Sequence, residues 1–402
     1  MIIEKMISGG FGLGRKDGKI YLIRGAYQGE DVDVEIEKQS KDVVFCKVKS
    51  VNAPSPKRQI PVCEHFGSCG GCDWMDLEYE TQLEYKRDIF VDQMKHIANV
   101  EILPPKIVPT SPYSYRNKVE FVIKDGKIGY FGKNSHNFVE INECHIISNA
   151  LNDIKNEAKK YDLRYFDHLI LRESNDKKMA VFVSSTAQKI PKIADETVSL
   201  VNNSHVVMAG HQKIITGKGY LEIKVDEITY RIPPKSFFQI NYEGAEILSS
   251  KVKEYAQTGK NLLDLYCGVG FFTLQVAKNF EHLTGIESSP SSIIEARENA
   301  KLNGISNVKF TLSKTSKFNF SNYDVIIADP PRSGIDKETM NAILEIKPER
   351  FVYVSCDVAT FARDSYKLIQ KRYKIKDVML VDLFPQTHHF EIVSLFERKE
   401  VG

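Results

Sequence analysis

From about residue 236 onward, short apolar runs alternate with helical segments, and this alternation constrains the fold more than any other feature of the chain. NLLDLY (261–266), LTGIE (283–287), NVKFTL (307–312), YDVIIAD (323–329) and RFVYVS (350–355) read as strands, and SPSSIIEARENAKLNG reads as one of the helices between them. Such alternation predicts an α/β domain built on a parallel sheet. Ligands of these sheets bind beyond the carboxyl ends of the strands. The rule nominates residues 264–271, Glu287, residues 329–334 and Cys356, where the chemistry-bearing side chains gather.

The loop DLYCGVG (264–270) ends the first strand, and Gly268 and Gly270 let a ligand approach the backbone closely. The full dinucleotide fingerprint is missing, and so is a Lys-Ser/Thr phosphate cradle. Glu287, about twenty residues on, ends the second strand, where a carboxylate can accept hydrogen bonds from the ribose of an adenosine. The loop offers acidic groups, which repel a pyrophosphate and suit a cationic sulfonium. S-adenosylmethionine therefore fits better than NAD or ATP. Asp329 opens DPPRSG (329–334), whose two prolines stiffen the turn that holds the carboxylate.

Cys356 stands at the end of VYVSC, and the following DVATFARD looks helical. A thiol beside a helix N-terminus, with Arg332 or Arg363 near, is expected to have a lowered pKa. Such a thiolate can add to a pyrimidine ring and make its carbon 5 nucleophilic, provided that a methyl donor and a base are present. PQTHHFE (385–391) supplies Glu391 as that base, with His388 and His389 as rivals. HHFE is not a helical H-E-x-x-H, so a catalytic zinc is not expected there.

Residues 1–51 alternate apolar and polar side chains at period 2, predicting a small β-barrel of about five strands. Small barrels of this kind commonly bind oligonucleotides. NAPSPKRQIP (52–61) reads as a linker. DLEYETQLEYKRDIFVDQMKHI has helical spacing, and the strand-like runs within 115–235 suggest an α+β domain. The expected units are thus 1–51, 62–235 and 236–402. Cys63, Cys69 and Cys72 lie in one loop and Cys144 far downstream, a four-thiolate site for zinc or iron–sulfur by spacing alone. The net charge is only +2, so any basic footprint must be local. The N-terminus is too charged for a signal peptide, and no run of about 18 apolar residues appears. A cytoplasmic protein with reduced thiols and no membrane partner is expected.

Together SFFQIN (236–241), DLYCGVG, DPPRSG, SCD (355–357) with FARD (361–364), and PQTHHFE resemble the RNA uridine C5-methyltransferase family across almost the whole chain. The resemblance implies a class I methyltransferase domain of Rossmann-like fold, with Cys356 as nucleophile and Glu391 as base. It implies S-adenosylmethionine contacts at Gln239, Tyr266, Glu287 and Asp329. Val358 stands where the family usually has proline, and Phe390 where it usually has valine; TLSKTSKF (311–318) lacks clear adenine-side residues. The ribosomal-RNA branch implies a [4Fe-4S] cluster on Cys63, Cys69, Cys72 and Cys144. The barrel resembles the OB-like TRAM domain. Barrel and cluster favour structured RNA, 23S ribosomal RNA above all, as substrate of a monomer; the alternative is transfer RNA, modified in the T-loop. The rival readings are a cytosine C5-methyltransferase and a non-catalytic RNA-binding assembly factor.

Overall fold

The computed structural model describes residues 1–174, 177–202, 206–208, 210–318 and 322–398; the last four residues of the expected C-terminal unit lie outside these. Among the described residues no helix is long and apolar enough to cross a membrane.

Five strands, Lys5–Ile7, Phe11–Lys16, Lys19–Arg24, Asp31–Gln39 and Val43–Ala53, form the N-terminal sheet in the order first, second, third, fifth, fourth. An isolated bridge, Ile2↔Asp31, joins its two outer strands at one end. Ile3, Ile23, Val32 and Val44 fill its small interior. The segment read as a linker is pinned to this sheet. Arg58 donates to the buried Glu30 carboxylate from Nε (2.6 Å) and Nη2 (2.9 Å), and also pairs with Asp76.

The central sheet has seven strands, running in space from His211–Thr216 through Lys118–Lys124 to Phe138–Glu140. Helix Asn149–Ala158 packs on it, with Leu151 and Ile154 facing Phe121, Leu169 and Phe182. The Ser148 hydroxyl caps this helix by accepting from Leu151 N–H.

The C-terminal sheet has eight strands in the order Val308–Leu312, Phe280–Glu287, Gly259–Leu265, Val325–Ala328, Arg350–Ser355, Glu391–Arg398, Tyr373–Val381 and Lys106–Val108. The first five are parallel, as expected. Glu391–Arg398 runs antiparallel to both neighbours, so the sheet is mixed. The reason is the connection: residues 382–390 are too few to carry a crossover, so the last two strands must return antiparallel. The chain runs outward through its first three strands, then jumps back to place Val325–Ala328 beside Gly259–Leu265. This switch point opens a crevice at the carboxyl ends of those two strands.

Alternate side chains of each strand face opposite sides and build two cores. Leu262, Ile327, Val352 and Val393 face one side. Leu263, Ile326, Phe351 and Ile392 face the other, together with Phe90 and Trp74. Helix Tyr79–Gln93 therefore packs on the C-terminal sheet, Phe90 against Phe361 at 5.9 Å, although its sequence lies within the 62–235 span. Strand Lys106–Val108 likewise pairs with Tyr373–Val381, and hairpin 221–232 joins the core around Leu262. Patterning identifies such segments as elements but does not say which sheet will bury them.

Candidate active site

The site grows from the carboxyl ends of four adjacent strands. After Gly259–Leu265 the chain turns at once: Tyr266 (φ +63°), Gly268 (+55°) and Gly270 (+84°) all adopt left-handed backbone, and helix Phe271–Gln275 follows. Asp264 lies buried under this turn, bonded to the Thr273 hydroxyl, while its Oδ1 has no partner among the described residues. Burial, with Asp329 and Glu287 nearby, pushes Asp264 up to about 7. Burial also pushes Asp329, just beyond Val325–Ala328, up to about 7. Two carboxyl groups kept from full ionisation, one with an unspent oxygen, make a site that gains by receiving a cation.

Glu287 accepts from Gly268 N–H through Oε2 (3.2 Å) and from Ser288 and Ser289 N–H through Oε1 (both 2.7 Å). These bonds fix the carboxylate beside the glycine loop and leave Oε2 a further lone pair. The Tyr266 hydroxyl faces Asp336 Oδ2 at 3.3 Å. Gln239 is buried, and its carbonyl accepts from Asn117 Nδ2 (3.1 Å). Among the described residues no hydrogen bond joins the Gln239 side chain to Tyr266, Glu287 or Asp329. Three of the four expected cofactor contacts thus stand at the strand ends around the switch point, and Gln239 is tied by its backbone carbonyl to Asn117, next to the central sheet.

Cys356 follows Arg350–Ser355, and Glu391 opens the neighbouring antiparallel strand. The pairing Ser355↔Ile392 puts both residues at the same end of that ladder. The thiol is partly buried; Glu391 is 6 % exposed. The expected lowering of the Cys356 pKa is not what the structure gives. The thiol is pushed up to about 12, by burial first and then by Glu391 and Asp329; Arg332 opposes them but does not prevail. Helix Val358–Gln370 does begin beside Cys356, but its cap is Asp357, whose carboxylate accepts from Thr360 N–H (2.9 Å) and adds negative charge next to the sulfur. Arg363 is engaged with Asp364, at 2.9 Å from both Nε and Nη2. Glu391 is held well above the usual carboxylate range by burial and by Asp329.

The rival bases are occupied. His388 Nδ1 lies 2.7 Å from Asp73 Oδ2; a carboxylate only accepts, so that nitrogen carries the proton of the neutral ring. His389 Nε2 faces Arg332 Nη2 at 3.2 Å, and a guanidinium only donates, so Nε2 is the acceptor. Burial and neighbouring positive charge pull both rings down to about 3. Asp73, whose charge would raise His388, also pairs with Lys133.

A cavity of about 190 Å³ opens beside the sulfur. Its lining includes Arg332, Cys356, His389 and Phe390 and, from the N-terminal sheet, Ser8 and Gly9. The loop before Glu391 is held from within. Gln386 (φ +67°, 1 % exposed) accepts through its carbonyl from Asp73 N–H (2.9 Å) and Trp74 N–H (3.0 Å). Its own N–H donates to Gln82 Oε1 (3.0 Å). A fully buried ion pair, Lys86–Asp382 at 2.6 Å, ties the start of the same loop to helix Tyr79–Gln93. Sequence reasoning missed Asp73, Gln82 and Gln386, because their importance lies in contacts across more than 300 positions, which no local pattern carries.

The four expected metal-site cysteines do meet. Cys63, Cys69, Cys72 and Cys144 line one cavity together with Arg116. Among the described residues no group of three or more Cys, His, Asp or Glu side chains stands at metal-ligating spacing. The donor set is nevertheless soft thiol. Burial raises Cys69 to about 11 and raises Cys72 further, and the other thiols add to both shifts. Arg116 Nε is buried with no hydrogen-bond partner among the described residues, and Arg116 lines the cavity of the four thiols, which would carry negative charge once ionised. The residues fit a thiolate-bound metal centre.

A methyltransferase-domain family model matches residues 256–385. A Thermotoga maritima protein named an uncharacterized RNA methyltransferase is 33 % identical, covering 97 % of this chain and 96 % of its own. An Aquifex aeolicus protein of the same name is 31 % identical, covering 100 % and 98 %. The crystal structure of Pyrococcus abyssi tRNA (uracil-54, C5)-methyltransferase in complex with S-adenosyl-L-homocysteine is similar at a TM-score of 0.80 and 27 % identity, covering 98 % of this chain and 99 % of that one.

Proposed function

The chain belongs to the RNA methyltransferases that use S-adenosylmethionine, and we propose that it methylates carbon 5 of a uridine through a covalent bond between the Cys356 sulfur and carbon 6. One observation carries this reading. Cys356 and Glu391 close the same end of two paired strands, beside a cavity and one strand away from Asp329.

S-adenosylmethionine supplies an electrophilic methyl group on a cationic sulfur. Asp264 and Asp329 favour a cation at the crevice, and its arrival draws their carboxyl groups into the charged form. Tyr266, in the glycine loop, and Glu287, at the end of the neighbouring strand, orient the cofactor. Cys356 gives its proton to solvent and bonds to carbon 6, which makes carbon 5 electron-rich enough to take the methyl group, the sulfonium keeping the broken bond's electron pair. Glu391, as the carboxylate, then removes the proton of carbon 5; the carbon 6–sulfur bond breaks and the sulfur leaves with its electron pair. His388 and His389 orient this loop and do not act as bases. A stacked uridine cannot offer its ring to Cys356, so it is flipped into the cavity, at about a few kcal/mol of unstacking.

We assign the substrate as 23S ribosomal RNA, gripped by a TRAM-like N-terminal sheet and by a central domain whose Cys63, Cys69, Cys72 and Cys144 hold a [4Fe-4S] cluster. The second reading is transfer RNA, favoured by the substrate of the Pyrococcus abyssi enzyme. The test is adduct trapping. RNA from cells lacking the gene and grown in 5-fluorouracil, incubated with enzyme and cofactor, is expected to yield a denaturation-resistant complex, because fluorine cannot leave as a proton. Cys356→Ala is expected to abolish it; an adduct that persists in this variant would overturn the reading. Mapping 5-methyluridine in both RNA classes, with and without the gene, decides between ribosomal and transfer RNA.

A further inference from the structure

The cavity at Cys356 is not built by the C-terminal domain alone. Ser8 and Gly9, in the first turn of the N-terminal sheet, line it along with Arg332 and His388. The neighbouring Gly10 fits only because it lacks a side chain. A Cβ there would stand 3.0 Å from both Cβ and Nδ1 of His388, on a backbone with φ +77°. We propose that this turn is a wall of the substrate pocket, binding the sugar–phosphate of the target nucleotide opposite Cys356 together with Arg332; the proposal rests on the reading of Cys356 as the nucleophile.

Three observations support it. First, the turn is held in place. Lys5 pairs with Asp92 of helix Tyr79–Gln93, the Tyr27 hydroxyl bonds to Asp76, and Met6 and Tyr27 are buried in the same core as Phe361. A tethered arm would have no such shared core. Second, the lining joins two kinds of group. Phe390 and His389 offer rings near Cys356, and Arg332 holds His389 Nε2 at 3.2 Å. Ser8 brings a hydroxyl donor and Arg332 a guanidinium, the groups that phosphate oxygens accept from. Asp357 also lines the cavity, but its Oδ1 is turned to Thr360, accepting from N–H (2.9 Å) and Oγ1 (3.0 Å). Third, the bond that closes the turn is Gly10 N–H to Ile7 carbonyl (3.2 Å), so it uses neither the Ser8 nor the Gly9 amide.

The test separates a pocket wall from an RNA-gripping arm. The probes are bulk RNA from cells lacking the gene, with and without growth in 5-fluorouracil, and S-adenosylmethionine with a labelled methyl group. Ser8→Leu fills the cavity, Ser8→Ala removes only the hydroxyl, and Gly10→Ala drives the turn off His388. We expect Ser8→Leu and Gly10→Ala to lower kcat at saturating RNA, and the rate of adduct formation, at least tenfold. Ser8→Ala should lower both about threefold. Affinity for RNA without cofactor should change less than twofold. Should Gly10→Ala fail to fold by circular dichroism, the two Ser8 variants carry the test. Weaker RNA binding with kcat intact would make the sheet an arm and overturn the proposal, as would wild-type behaviour in Ser8→Leu. A wild-type enzyme that forms no adduct would instead remove the nucleophile reading itself. An adduct formed equally fast by wild type and Ser8→Leu would remove only the role of the turn.

Discussion

At Cys356 burial and the carboxyl groups of Glu391, Asp329 and Asp357 hold the thiol protonated against the single guanidinium of Arg332. A thiol near 12 is ionised to only about one part in 10⁵ at pH 7. The sulfur is therefore protonated at neutral pH, and the proposed nucleophile needs a cation or the substrate beside it to ionise. Alkylation of Cys356 by iodoacetamide, followed by mass spectrometry, should rise about tenfold per pH unit from 7 to 11; a plateau below pH 9 would contradict this. Arg332→Ala should slow alkylation at any fixed pH, because the guanidinium lowers the thiol pKa, whereas Glu391→Gln should speed it by removing a neighbouring negative charge. Asp264 and Asp329 give a second pH signature. Their folded values near 7 lie above the unfolded carboxyl value, so their contribution to stability is fully present below about pH 4 and is lost as pH rises through about 7. A bound sulfonium reverses that loss. Thermal melts should thus show S-adenosylmethionine stabilising the protein increasingly more than neutral-sulfur S-adenosylhomocysteine between pH 6 and pH 8. A difference independent of pH would argue against these two carboxyl groups as the cation's partners.

Among the elements, the loop 382–390 matters most, because it carries the chain from the last-but-one strand to Glu391. Helix Tyr79–Gln93 and residues 73–74 bond to it, Thr110, Tyr115 and Asn241 donate to its carbonyls, and its Asp382 and Leu383 N–H groups donate to Val108 and Val381. Lys86 and Asp382 are both fully buried, and one oxygen of Asp382 has no partner among the described residues. Lys86→Met leaves that carboxylate in the core alone and should cost about 3–5 kcal/mol in urea denaturation, and Lys86→Met with Asp382→Leu should recover most of it. A loss under 1 kcal/mol in the single variant would mean that water reaches the pair. Gln386 works differently: its side chain and carbonyl aim the loop. Gln386→Ala should lower kcat about tenfold while leaving S-adenosylmethionine affinity within twofold, measured by calorimetry and initial rates. Of this element the sequence disclosed the two strands and the base, from alternation and from a carboxylate at a strand start. The anchoring partners lay elsewhere in the chain and carried no local mark.

For the whole molecule, Asp73 and Trp74, directly after Cys72, bond to Gln386, so the cysteine loop and the loop before Glu391 share one set of hydrogen bonds. Anaerobically purified protein should contain iron and sulfide in about equal amounts. Removing them should raise amide exchange in residues 384–391 before it does so in the far strands of the central sheet; unchanged exchange there would uncouple the two loops. The alternation of strands and helices determined the α/β domain and the strand ends where Glu287, Asp329 and Cys356 lie, because periodicity and the carboxyl-end rule are local properties that a linear chain displays. The types of residue at those ends set the chemistry. Only the tertiary structure decided that helix Tyr79–Gln93 and strand Lys106–Val108 join the C-terminal sheet, that the last strand runs antiparallel, that Cys356 is held protonated, and that Ser8 and Gly9 reach its cavity. Each of these depends on which distant surfaces exclude water together and which charges then face one another, and a side chain's environment is not written beside it in the chain.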